Sequence, residues 1–375
     1  MIDIAASAPS MLRRRRASAV QVVAALAMVG VLGAAVWWQR DTVGAAIVEL
    51  RQMALIVIVG LLVLGIAERW LRADTLRSLL LDPQAPSFSQ ALTIHDVGAA
   101  ASKGVPLGGP LSLALRWSIA RDVAISGDRL ASALVAYGVA TTFATWLLPF
   151  CWLLVDVVRR SPTTTDVVAL AVCATVLVGS AVFWAVMLSS ERAMGWVDSL
   201  TAWLWRPLAR RSDRAARFDP VSRLTEIRTS LRATARQPAG LVARTVLIQC
   251  CGATILYVAL RGVGVGDELG LVEFARAYFV VTLLSSFVPV PGGVGVVEAG
   301  LTAALVSAGV PTTSALGAVL VYRLLTYVAP IVVGAVLYAG WRLRPAVVVS
   351  TASASPARPT AEHSMCRRTA AESRS

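Results

Sequence analysis

The stretch Pro289-Val290-Pro291-Gly292-Gly293-Val294-Gly295 interrupts an apolar run that extends from Leu271 to Ser307. A soluble protein would treat two prolines and three glycines in seven residues as a surface loop. Here the flanks are rich in Val, Leu and Ala on both sides, and Val296 to Ser307 reads as another apolar helix. The break therefore lies inside an apolar environment. Proline removes a backbone donor and glycine removes the side chain, so no straight helix runs through it. Lipid cannot satisfy exposed N–H and C=O groups, so such a break is either buried in protein or lines a wet cavity.

The rest of the chain supports a bilayer setting. Of 375 residues, 57% are apolar and 15% charged, against about 25% charged in an ordinary soluble domain. Mean hydropathy is +0.69. This excludes a water-soluble enzyme and a disordered chain. Apolar spans are expected at Ala19–Trp38, Met53–Trp70, Leu130–Val158, Val167–Ser189, Leu241–Leu260 and Thr313–Trp341. The expected fold is an all-α polytopic transmembrane bundle of about six to eight spans with two broken or re-entrant segments in inverted repeats. Residues 1–18 form a basic cytoplasmic N-terminus, 19–341 a single transmembrane domain, and 342–375 a disordered cytoplasmic tail.

Charge sets the orientation. Lys+Arg number 35 against 22 Asp+Glu, for a net charge of +13. The arginines sit between spans, the pattern of cytoplasmic membrane loops, and no nucleic-acid partner is implied. The run Arg13–Arg16, the Arg69–Arg77 segment and the 191–240 interval all favour the cytoplasm. Both termini are then cytoplasmic, in a multi-pass protein of the cell membrane. The loops 39–52 and 262–270 carry balanced charge and suit the outside. Trp196, Trp203 and Trp205 open the 191–240 interval, which reads either as an interfacial helix or as an extension of the preceding span with a solvated loop.

A shift of 185 residues superposes the two broken segments. Pro106 falls on Pro291, Gly108 on Gly293, Ala133 on Ala318 and Tyr137 on Tyr322. In each copy a break precedes a short helix, then a turn at Ala124-Ile125-Ser126 or Gly309-Val310-Pro311, then a long span. Given the charge assignment, the two copies run in opposite directions, as in many secondary transporters. Gly108-Gly109 and Gly292-Gly293 would admit a ligand to the backbone, and the helix that follows each aims its positive end at the break.

Glu298 and Arg323 are ionisable residues in apolar surroundings, and such groups face a partner or a cavity. Arg323 can pair with Glu298 or bind a phosphate bidentately. His95-Asp96, Lys103, Arg116 and Arg121-Asp122 are the polar groups near the first break. Arg116 and Arg121 also fit boundary residues that snorkel to the interface. Two histidines and five scattered cysteines offer no metal cluster and no disulfide framework. No P-loop and no Gly-x-Ser-x-Gly occurs, so no catalytic residue, metal or cofactor is assigned.

The segment Ser285–Ala299, with Gly309-Val310-Pro311 and Val321-Tyr322-Arg323-Leu324-Leu325-Thr326-Tyr327, resembles the flippase-like membrane domain of lysylphosphatidylglycerol synthases and their stand-alone relatives. Members show Pro-Gly-Gly-hydrophobic-Gly-x-x-Glu followed by Tyr-Arg in the last long helix. The resemblance implies lipid translocation, with anionic or polyprenyl-phosphate-linked lipids as cargo. It marks Pro291, Gly292, Gly293, Gly295, Glu298, Tyr322 and Arg323, with Gly108 and Gly109 as the first-half counterparts. A short polar tail follows Trp341, so lysyl transfer is not implied and no enzyme is expected. The alternatives are a membrane transferase using a lipid-linked donor, with Asp156 and Asp166 as paired acids, and a membrane partner of a separate glycosyltransferase or synthase.

Overall fold

A computed structural model describes residues 40–80, 85–105, 108–159, 163–209, 225–229, 238–265, 269–285 and 293–343, together with Gly30, Trp37 and Leu231. Every regular element among them is helical. The chain divides into two compact units, Met1–Arg342 and Leu343–Ser375, and of the second only Leu343 is described.

The helices are α1 (Arg40–Gln52), α2 (Leu55–Leu79), α3 (Phe88–Gly104), α4 (Gly108–Asp122), α5 (Gly127–Arg159), α6 (Thr164–Ser189), α7 (Glu191–Ala209), α8 (Pro238–Gly262), α9 (Leu271–Ser285), α10 (Val296–Ser307), α11 (Thr312–Arg323) and α12 (Ala329–Leu343). A π-helical turn, Leu324–Val328, joins α11 to α12 without a break in the rod. Among the described residues, four rods are long and apolar enough to cross a bilayer: α5, α6 from Asp166, α8 from Ala239, and the α11–α12 rod. The span expected at Ala19–Trp38 falls outside the described residues except for Gly30 and Trp37, both helical.

Several helix ends follow from local chemistry. Ser87 and Gln90 make a reciprocal capping box at α3, with Gln90 N donating to Ser87 Oγ (3.3 Å) and Ser87 N to Gln90 Oε1 (2.8 Å). α4 and α10 end in the same way. Ile125 N donates to Ala120 O (2.9 Å) and Val310 N to Leu305 O (3.1 Å). The residue before each donor is left-handed, Ala124 at φ 58° and Gly309 at φ 95°. Both are Schellman-type ends, and Ile125 and Val310 bury the apolar side chain such an end presents. Ala124 and Gly309 stand 185 residues apart, the offset of the sequence repeat.

Two expectations are corrected. Residues 39–52 read as a loop, but Arg40–Gln52 is a helix. Val43, Ala46 and Leu50 fall on one face at helical spacing, and Ala46 is fully buried. The second span does not end at Trp70; α2 continues to Leu79 and carries Glu68, Arg69 and Arg72 within it. The 191–240 interval opens with a separate helix, because Ser190 is extended (φ −85°, ψ 123°) between α6 and α7. Arg228 caps that junction, donating to Leu188 O and to both oxygens of Glu191.

Among the described residues, the two largest apolar cores each surround one broken segment. The first joins α3, α4 and the start of α5 to the end of α2 and to Tyr338, through Leu76, Ile94, Leu115, Ile119 and Leu130. The second joins α9, α10 and α11 to α2 and α8, through Leu61, Leu256, Phe274, Leu301 and Val319. Glycine sets the closest approaches. A Cβ on Gly334 would stand 2.4 Å from the Asp96 carbonyl oxygen, and one on Gly108 would overlap the Ala101 carbonyl oxygen.

Candidate functional site

Between the two cores lies a set of charged side chains, most of them removed from the surface. Arg323 ends α11 and Glu298 sits in the first turn of α10. Arg323 Nε donates to Glu298 Oε1 at 2.7 Å. The guanidinium also lies over the Tyr327 ring, with Cζ 4.3 Å from the centroid, a cation–π contact strengthened by exclusion of water. Of the two roles open to Arg323, the pairing with Glu298 is present.

The break before α10 is built on left-handed glycines. Gly293 has φ 63° and Gly295 φ 80°, a region that costs L-residues roughly 1–2 kcal/mol. Gly295 is the N-cap, so the free N–H groups of α10 open beside Glu298. Pro291 and Gly292 lie outside the described residues. Val294 packs against a buried cluster formed by Ala100 of α3, Tyr327 and Val328 of the π turn, and Ile331 of α12. The second break thus meets the helix that precedes the first. Tyr322 sets its ring edge-on against Tyr278 of α9, at a centroid distance of 6.3 Å.

At the first break, Val105 is extended and α4 starts at Gly108. Gly108 is buried against α3, where its missing side chain permits close helix packing. Gly109 is exposed, with no atom within 4 Å of where its Cβ would be. Lys103, in the last turn of α3, braces the two halves. Its Nζ donates to Thr326 O (2.7 Å), and Tyr327 Oη donates to Lys103 O (3.0 Å).

Further charges converge from α2 and α3. Arg72 donates to Glu68 Oε1 from Nε (3.1 Å) and Nη2 (2.6 Å). Arg69 Nη1 donates to Asp96 Oδ2 at 3.3 Å, and Asp96 Oδ1 bonds His95 Nδ1 at 2.8 Å. Asp96 is 1% exposed. Lys103 stands within electrostatic reach of Arg69, Arg72, Glu68 and Arg323. Arg69 and Arg72 were expected at a cytoplasmic boundary; instead they turn inward and pair. Arg116 likewise lies along Gly98 of α3, whereas Arg121 is exposed as a boundary residue would be. Five cations (Arg69, Arg72, Lys103, Arg116, Arg323) thus face three carboxylates (Glu68, Asp96, Glu298).

Sequence reading passed over Glu68 and Tyr327. Glu68 had a legible signal, as the one acid within the apolar part of α2. Asp156 and Asp166, the candidate acid pair, are joined through Arg276, which bonds Asp156 and stands 4.0 Å from Asp166. Asp166 also accepts from Thr163 at the α6 N-terminus.

A family model described as the lysylphosphatidylglycerol synthase TM region matches residues 19–334. The chain belongs to that family. The match spans both broken segments and every residue of the charged set. This member of the lysylphosphatidylglycerol synthase TM-region family is accordingly a membrane-embedded, multi-pass protein related to lipid modification or transport. No curated protein and no solved structure matches the chain.

Proposed function

We propose that this protein moves a phosphate-bearing lipid, anionic or polyprenyl-linked, between the two leaflets of the cell membrane. The observation that carries the reading is the surplus of cations over carboxylates inside an apolar bundle, gathered where two interrupted helices meet. A charge without compensation at bilayer depth costs roughly 2.5–3.5 kcal/mol even on the lenient insertion scale. A surplus held there suits an anionic group that comes and goes. The free N–H groups of α10 add to the same polarity. Arg323 supplies the planar fork that recognises phosphate, Glu298 restrains it between cargoes, and Gly295 and Gly109 leave backbone open to a headgroup. Tyr322, edge-on to Tyr278, borders the same region.

The repeated order of break, short helix, left-handed turn and long rod supports an inverted repeat, and with it alternating access. Chemistry is not part of the proposed role. The acids Asp156 and Asp166 both lie against Arg276, which favours a structural role for them over the transferase reading. A separate glycosyltransferase or synthase is the proposed source of the lipid.

The test is reconstitution into vesicles with headgroup-labelled phosphatidylglycerol, a labelled polyprenyl-phosphate sugar and labelled phosphatidylcholine. Protein-dependent loss of protection from a membrane-impermeant quencher is expected for at least one of the first two. Equal protection with and without protein for every lipid overturns the proposal.

A further inference from the structure

Three buried polar atoms beside the first break have no hydrogen-bond partner: Arg69 Nη2, Arg116 Nε and Tyr137 Oη. Buried polar groups are nearly always satisfied, so three together require an explanation. They belong to one neighbourhood. His95 sets its ring edge-on to Tyr137 at 6.1 Å and holds Asp96, which holds Arg69. Arg116 is within electrostatic reach of both Tyr137 and Asp96. Arg72 approaches Tyr137 closely enough to donate a poorly aligned hydrogen bond to Oη, short of good geometry, so the phenol's own O–H remains free to donate.

The charge there is one-sided. Glu68 is engaged by Arg72, and Asp96 by Arg69 and His95. No ion pair joins Arg116 among the described residues. Its side chain lies flat on Gly98, where an added Cβ would collide with Nε. α3 is therefore shaped to lay a cation inward, beside a phenol that can donate. Two guanidiniums and a hydroxyl with spare donors are the recognition set for a tetrahedral oxyanion.

We propose that Arg69, Arg116 and Tyr137 form a second anion seat, separate from the Arg323–Glu298 pair, that takes a phosphate group. The phosphate is that of a lipid headgroup or free phosphate; the lipid source rests on the transport reading above, while the seat itself does not. Lys103 links this seat to the first, since it ends α3 on one side and bonds the π turn beneath Arg323 on the other. A headgroup passing the two breaks would meet Arg323 and Arg116 in turn.

The experiment uses the full chain in phosphatidylcholine nanodiscs, titrated with fluorescent phosphatidylglycerol, with inorganic phosphate as a competitor. Variants are Arg116→Gln, Arg116→Lys, Tyr137→Phe, Gly98→Ala and Arg323→Gln, with thermal unfolding recorded for each. Arg116→Gln is expected to weaken lipid binding about tenfold, as loss of a charge-assisted bond implies. Arg116→Lys recovers part of it, and Gly98→Ala mimics the loss by displacing the guanidinium. Tyr137→Phe, which removes a single oxygen, weakens binding without lowering the unfolding temperature. Competition by inorganic phosphate at millimolar concentration assigns the seat to a free anion, and its failure assigns it to the headgroup. Unchanged binding in folded Arg116→Gln and Tyr137→Phe, or a loss confined to Arg323→Gln, overturns the second seat. Binding that falls with Arg116→Gln in a protein that moves no lipid in vesicles keeps the seat and removes the transport reading. Lipid movement with binding indifferent to Arg116, Tyr137 and Gly98 does the reverse.

Discussion

Arg323 Nε and Glu298 Oε1 lie 2.7 Å apart, tying the last residue of α11 to the first turn of α10. The bond spans the turn Gly309-Val310-Pro311, so two short helices are clamped at the end away from their connection. Both side chains are largely enclosed, and Glu298 Oε2 has no partner of its own. The arrangement holds Arg323 in place while leaving the acid under-used.

Removing one member should therefore be worse than removing both. Glu298→Ala is expected to cost roughly 3 kcal/mol, because it removes the carboxylate that Arg323 Nε bonds inside the bundle. Arg323→Ala should cost a similar amount. The double replacement should recover much of the loss, read as a coupling in thermal unfolding of the purified protein. Strict additivity of the two single effects would show that the pair carries no shared energy. Separately, a folded Arg323→Lys variant should retain only part of the lipid movement, since an ammonium lacks the fork. Full lipid movement by a folded Arg323→Ala variant would remove this residue from the transport proposal.

The glycines of the second break are expected to differ. Gly295→Ala forces a left-handed alanine into open space and should cost roughly 1–2 kcal/mol. Gly293→Ala adds a Cβ only 2.7 Å from Val297 Cγ2 and should cost more. Equal unfolding temperatures for the two variants would contradict the geometry of the turn.

Gly334→Ala tests the contact between α12 and α3. The new methyl would meet backbone, the Asp96 carbonyl, which cannot swing aside as a side chain can. A loss of about 1–3 kcal/mol is expected from overpacking. Because Asp96 moves with that backbone, the loss should exceed that of Gly340→Ala on the same helix, where nothing lies within 4 Å.

Asp156 and Arg276 should behave as structural partners. Asp156 is buried and Arg276 is 43% exposed, so Asp156→Asn should lower the unfolding temperature modestly, by about 1 kcal/mol in stability. Arg276→Gln added to it should cost little more. Lipid movement that survives Asp156→Asn in folded protein is the expected companion result, and its abolition would return the acid to the list of reactive groups.

The orientation can be checked with a single introduced thiol. Ala215→Cys, in a background lacking native cysteine, should be labelled by an impermeant maleimide only after the membrane is opened. The prediction follows from arginine placement, which favours a cytoplasmic 191–240 interval. Labelling from outside intact cells would invert the whole topology.

The sequence was legible where the signal is local. A Pro/Gly break, a turn and the period of an apolar helix each lie within a few residues, so the two interruptions, the ends at Ala124 and Gly309, and α5, α6, α8 and the α11–α12 rod could be anticipated. The partners of Arg69, Arg72, Lys103 and Arg116 could not. Asp96 is 27 residues from Arg69, and Thr326 is 223 from Lys103. A charge near the end of an apolar run reads the same whether it snorkels outward or turns inward, because only the packed neighbours decide. α1 was missed for a related reason. Its balanced charge suggested a loop, and its apolar face became visible only against α11.

The π turn at Leu324–Val328 gives the last rod an angular offset. A π turn accommodates one residue more than an α-helical register, and one residue corresponds to about 100° about the axis. Everything after Val328 is therefore rotated relative to α11. Deleting one residue there would straighten the register and swing Gly334 off the Asp96 carbonyl and Tyr338 out of the α3–α4 core. Arg323 and Tyr322 would keep their places. The rod thus carries two faces set by independent clocks: one timed to the second broken segment, the other to the first.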